Sequence, residues 1–159
     1  MDYDKGLLLK TVGLGAISGA RSMAAPAALS RAVERGDVGP LEQTPLAALG
    51  SHRVSRALGL LQIGEMLVDK LPVVVPSRTS PPPLLGRMVS GAFVGAALFV
   101  SQGRRPLTGG VLGAVSALTS AYAAERLRLR IAERLGIPDP VVALVEDGIV
   151  LFGAARLLR

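Results

Sequence analysis

Gln62, Glu65 and Asp69 fall at i, i+3 and i+7, a spacing that stacks one amide and two carboxylates on a single helix face. Glu146 and Asp147 stand side by side near the middle of a second apolar stretch, about 100° apart around a helix axis. Carboxylates in such surroundings have two outlets: desolvation and like-charge neighbours favour proton uptake, or the acids together bind a cation. Arg21, with Ser18 and Ser22 close by on its helix face, is the basic residue deep in the first apolar stretch. Arg21, Gln62, Glu65, Asp69, Glu146 and Asp147 are therefore the candidate ion- or substrate-binding residues. With Lys70 counted, this interior set holds four acids against two bases, a net charge of minus two. A carboxylate placed against lipid costs about 2.5–3.5 kcal/mol, so such acids face protein or water and mark ion paths. The chemistry expected is that of a small proton- or cation-coupled carrier with an acidic midplane site. The competing reading is that Arg21 locks to Glu65 or Glu146 as a buried pair that fixes helix register and moves nothing.

The elements that must position these residues follow from composition. The chain has 159 residues, 50% hydrophobic and only 19% charged, with a formal charge of +6 and a mean hydropathy of +0.46. Its 19 glycines and 11 prolines lie largely within apolar stretches, as in transmembrane helices. There is no cysteine, which excludes disulfides and thiol catalysis, and the single histidine, His52, leaves no histidine metal site. No serine has a credible histidine partner, so neither an enzyme nor a cofactor is expected. The leading Met1-Asp2-Tyr3-Asp4-Lys5 carries two acids where a cleaved signal needs a positive region, so the N-terminal helix is expected to be retained.

The expected fold is all-α, a polytopic transmembrane bundle of four to five helices in a single integral membrane domain. The helices are placed at about 6–31, 46–71, 84–103, 106–134 and 140–158, with a kink at Pro26 in the first. Between the second and third, Pro72 to Pro83 holds five prolines in twelve residues and reads as a stiff, extended connection. Arg126, Arg130 and Arg134 form one stripe at the end of the fourth helix, facing lipid phosphates; aromatic residues are too few for nucleic-acid binding.

Gly15-Ala16-Ile17-Ser18 is echoed by Gly113-Ala114-Val115-Ser116, and Ser22 by Ser120 at the same offset. With a single helix separating the two helix pairs, the copies would be inverted, the arrangement of many carriers. On that five-helix plan Lys5, Lys10, Lys70, Arg78, Arg87, Arg126, Arg128, Arg130 and Arg134 lie on one side. Arg31, Arg35, Arg53, Arg56, Arg104, Arg105, Arg156 and Arg159 lie on the other. Nine against eight sets no orientation, as a fused inverted repeat or an antiparallel dimer would have it. Gly15 and Gly19, Gly91 and Gly95, and Gly109 and Gly113 are small-xxx-small pairs that let helix backbones approach closely.

Several strings resemble one known family. They are Gly19-Ala20-Arg21-Ser22, Gly64-Glu65-Met66-Leu67-Val68-Asp69-Lys70-Leu71-Pro72 and Pro76-Ser77-Arg78-Thr79-Ser80-Pro81. Further along come Gly86-Arg87-Met88, Ser90-Gly91-Ala92 and Pro138-Asp139-Pro140, then Val145-Glu146-Asp147. Together they look like the bacterial membrane family called domain of unknown function 4126, over about Gly13 to Gly153. The resemblance implies a small multi-pass protein of the bacterial inner membrane and supplies no activity. It also draws attention to Lys70, Arg78 and Arg87, which a stiff loop would bring to one membrane surface. Those three suit an anion or a lipid headgroup, giving a structural or anionic-lipid-interacting protein as the alternative function. Expected partners are membrane lipids, a small ion or substrate and a second copy of the chain as a dimer, with no nucleic acid.

Overall fold

In the computed structural model, residues 4–39, 41, 43–69, 77, 79–135 and 139–159 are described. Lys70 and Arg78, and most of the proline-rich connection, lie outside them. The described residues are all-α: α1 (Lys5–Ala20), α2 (Ala24–Arg35), a 3-10 turn (Ala47–Gly50), α3 (His52–Val68), α4 (Pro81–Ser101), α5 (Pro106–Leu135) and α6 (Asp139–Leu157).

The expected helix over 6–31 is two helices. The chain leaves α1 at Arg21, whose backbone is extended (φ −140°, ψ 113°), and restarts at Ala24. Pro26 is not the site of the break. It is the third residue of α2, in the first turn, where an amide hydrogen has no intrahelical acceptor and its loss costs nothing. The same reason lets α4 begin at Pro81, inside what composition marks as an extended connection: Pro81, Pro82 and Pro83 fill its first turn.

The break also turns the chain around. Residues Asp37 to Gly39, just past α2, return to the start of α1 and the end of α4, sharing a small cavity with Asp4, Leu7, Lys10 and Gln102. We call this the lower end. From there α1 rises, α2 descends, and α3 rises from His52, which meets Glu34 at the foot of α2. Three pairings give the directions of the rest. Ser18 meets Ser90 while Arg87 meets Gly19 and Ala20, so α4 descends against α1. Ser116 donates to the Val12 carbonyl at 2.6 Å and Ser120 to that of Ala16 at 2.7 Å, so α5 rises parallel to α1. Gly13 packs on Leu157 while Arg21 reaches Asp147, so α6 descends.

This corrects the inverted repeat. The segments that echo one another, in α1 and α5, run parallel, because the turn at Arg21 to Met23 inserts one more reversal than the five-helix plan allows.

The centre of the fold is the packing of α1, α4 and α5. A Cβ on Gly15 would stand 2.7 Å from the Gly113 carbonyl oxygen, and one on Gly91 only 2.5 Å from the same atom. Gly95 and Gly109 face one another just as closely, and Gly19 lies on the α5 backbone at Ala117. Leu14, Val94, Ala97 and Phe99 fill the space between and are wholly buried.

Many large apolar side chains are exposed, with exposed charges gathered toward the helix ends. Leu9, Leu60, Leu67, Leu85, Val111, Ile149 and Phe152 are all exposed, Phe152 to 74%. Among the described residues two helices are long and apolar enough to cross a membrane: α4, and α5 over Pro106–Ile131, with mean hydropathies of 1.6 and 1.3.

Candidate functional site

The break between α1 and α2 leaves one helix C-terminus and one helix N-terminus facing each other inside the fold. Both are capped by charge from other helices. Glu65 of α3 supplies the anion: its Oε1 accepts from the Ser22 amide at 2.8 Å and the Ser22 hydroxyl at 3.0 Å, and its Oε2 from the Met23 amide at 2.8 Å. Arg87 of α4 supplies the cation, donating from Nη1 to the carbonyls of Gly19 at 2.8 Å and Ala20 at 2.5 Å. Each charge opposes the sign of the helix end it meets, positive at the start of α2 and negative at the end of α1. Ser90, one turn along α4 from Arg87, donates to the Ser22 carbonyl at 2.5 Å.

Arg21 lies at the break itself, with a side chain only 1% exposed. Its Nε donates to Asp147 Oδ1 of α6 at 2.7 Å, and its Nη1 pairs with Asp69 Oδ2 at the C-terminus of α3, also at 2.7 Å. Asp69 Oδ2 further accepts from Arg128 Nη1 of α5 at 3.1 Å. One guanidinium thus ties α3 to α6 across the tip of the α1–α2 hairpin, and Arg128 adds α5 to the tie. Glu146, half-buried beside Asp147, also acts on the Arg21 charge. Among the described residues Nη2 of Arg21 has no hydrogen-bond acceptor and is buried.

The fold therefore gathers Arg21, Glu65, Asp69, Glu146 and Asp147 around one point, though Arg21 does not make the pairing of the competing reading. Arg21 pairs with the two aspartates rather than with Glu65 or Glu146. Gln62 is elsewhere: buried on the α2 face of α3, one turn below Glu65, its Oε1 is 3.4 Å from Arg31 Nη2. Arg87 does not reach a membrane surface. It is buried on the stripe Arg87, Ser90, Gly91 and Val94, whose i, i+3, i+4 and i+7 spacing marks the inward face of α4 and was a legible signal. Lys70 and Arg78 fall outside the described residues. Arg128 was missed, although it stands about 200° around the helix from the stripe through Arg126 and so had to face another way. Near it, Glu125 of α5 holds Thr79 at 2.5 Å and also accepts from Ser77, which docks the connection before α4 onto α5.

Among the described residues the protein is all-α, with exposed apolar side chains, two helices long and apolar enough to cross a membrane and a buried ion cluster at a helix break. Its family is more specific: the chain belongs to the family described as Domain of unknown function (DUF4126), whose profile matches residues 8–158. No curated protein and no solved structure is detectably similar to it.

Proposed function

We propose that the chain is a small multi-pass carrier of the inner membrane whose gate is the ion lock at the helix break. The observation that carries this reading is the double pairing of Arg21 with Asp69 on α3 and Asp147 on α6. Broken helices with charged groups at their facing ends are the usual way a carrier fold places a site near the bilayer midplane. A position about 22–24 Å above the lower end, 16 residues up α1 at 1.5 Å per residue, would put the break inside a ~30 Å hydrocarbon core, about three-quarters of the way across it.

In this reading protonation drives the gate. An ionised Asp147 and Asp69 hold Arg21 between them and keep α3 and α6 together. Protonating either carboxyl removes the charge that holds the guanidinium, so Arg21 is freed to take an incoming anion or to let α3 move from α6.

Orientation follows from the six-helix path. Lys5, Lys10, Arg31, Arg35, Arg53, Arg56, Arg104, Arg105, Arg156 and Arg159 gather at the lower end, against Arg126, Arg128, Arg130 and Arg134 at the upper. Apart from Arg21 and Arg87, which are buried at the break, ten against four among the described residues favours a cytoplasmic lower end. On the five-helix plan Lys5 and Lys10 fall on the other side; moving those two alone changes nine against eight to seven against ten.

A second reading is a structural protein in which the lock only sets helix register, favoured by the fixed partners that Glu65, Asp69 and Asp147 already have. Vesicles loaded with a pH-sensitive dye separate the two. A carrier dissipates an imposed pH gradient in a protein-dependent way, and Asp147→Asn abolishes this while the helix content is kept. If parent and variant are equally silent and Arg21→Ala lowers stability by about 3–5 kcal/mol, the expected cost of stranding buried charges, the structural reading stands.

A further inference from the structure

Below the lock, α3 and α6 both lean on α2 and make no substantial contact with each other, so a groove opens between them with α2 as its floor. At the lower end this groove holds a cavity of about 120 Å³. Its walls are apolar, with Ala28 and Ala32 from α2 and Leu151 and Ala154 from α6, but its polar lining is strongly basic: Arg31, Arg35 and Arg159 against the single acid Asp37. None of the three arginines is in an ion pair among the described residues. Every described acid near the lock has a partner; here arginines outnumber acids in the lining.

Arg31 is the built part of the site. It is half-buried and crosses from α2 onto α3 where Gly59 leaves room, since a Cβ there would come within 2.9 Å of Arg31 Nη2. Its one hydrogen bond is the 3.4 Å contact to Gln62, a neutral acceptor at the long limit of such bonds; Gln62 is itself only 4% exposed. A half-buried guanidinium held in place by packing, with no carboxylate, is stabilised by an anion from outside.

We infer that Arg31, Arg35 and Arg159 form a binding site for a phosphate group, reached from the lower end of the bundle. Guanidinium forks match phosphate oxygens in geometry, and the cavity is large enough for a phosphate. Two sources share this chemistry: the headgroup of an anionic phospholipid, whose chain would follow the apolar groove between α3 and α6, and a free phosphate. The site does not require transport, and stands or falls separately from the lock.

The test uses the full chain in a neutral detergent, with thermal unfolding followed as inorganic phosphate or short-chain phosphatidylglycerol is titrated in, and short-chain phosphatidylcholine as the reference. The parent is expected to be stabilised by phosphatidylglycerol beyond phosphatidylcholine, or by phosphate, or by both. Phosphate alone identifies a free phosphate ligand; phosphatidylglycerol alone identifies the lipid headgroup. Arg159→Gln, at an exposed position whose change leaves the packing intact, should weaken the apparent affinity about tenfold, as one lost charge-assisted pair implies. Gly59→Ala, which pushes Arg31 aside, should weaken it as well. Arg105→Gln, at the same end but outside the cavity, should leave it unchanged. The proposal is overturned if neither probe stabilises the parent, or if Arg105→Gln weakens binding as much as Arg159→Gln.

Discussion

Arg21 and Glu65 do different work at the same break. Glu65 makes a conventional cap, exchanging water for three donors at a helix start, and removing such a cap costs about 0.5–2 kcal/mol. Arg21 holds two carboxylates from two helices in a nearly dry place, so its loss strands charge and costs more. Away from the lock, one residue pair carries a pH dependence of its own. His52 Nδ1 lies 2.7 Å from Glu34 Oε1 at the lower end, and the bond to His52, followed by one to Ser55, holds the Glu34 carboxyl below the usual carboxylate range. A folded value below the unfolded one stabilises the fold above the unfolded value, and that contribution is lost as pH falls through the lowered folded value. His52→Ala should therefore move the Glu34 titration upward toward an ordinary glutamate, read by carbon NMR of the labelled carboxyl in micelles. An unmoved titration would show that the pair has no such effect.

At the scale of elements, the α1–α4–α5 packing depends on backbone contact rather than on large side chains. Close backbone approach and the hydroxyl bonds of Ser116 and Ser120 to α1 carbonyls hold these helices together. Gly15→Ala puts a methyl against the Gly113 carbonyl with only backbone to yield, and is expected to destabilise the fold by about 1–3 kcal/mol. Gly64→Ala, on α3 with nothing near its would-be Cβ, should be neutral or stabilising by up to about 1 kcal/mol through helix propensity. Unfolding of both variants in mixed micelles measures the contrast, and equal effects would remove the packing explanation. The glycine spacings were legible because i, i+4 pairs share a face in any helix. The helix break was not, because Gly19-Ala20-Arg21-Ser22-Met23 contains no proline and reads as continuous helix until Glu65 and Arg87 arrive from distant segments to satisfy its ends.

For the whole molecule the consequence is sidedness. Native chain has no cysteine, so single cysteines can report topology without background. Cysteines at Asp37 and Gln102 should react with an impermeant reagent from the cytoplasmic side and one at Ser77 from the opposite side, while one at Ser22, inside the break, should react poorly from both. Asp37 and Ser77 labelling from the same side would sink the path in which α2 descends and α3 rises, and with it the placing of the lock inside the membrane. The proposed phosphate site would add a second asymmetry, since its arginines lie at the lower end.

The amino-acid sequence alone determined the all-α class, the family and the small residues suited to close helix packing, because each rests on local period or on strings read in order. It also singled out Arg21, Glu65, Asp69, Glu146 and Asp147, since charge in an apolar stretch is costly wherever the chain goes. Only the tertiary structure decided which charge meets which, that Arg87 and Arg128 join the cluster, and that α1 and α5 run parallel. Those facts depend on segments up to 126 residues apart, as Arg21 and Asp147 are, and no local pattern encodes the turn that brings them together.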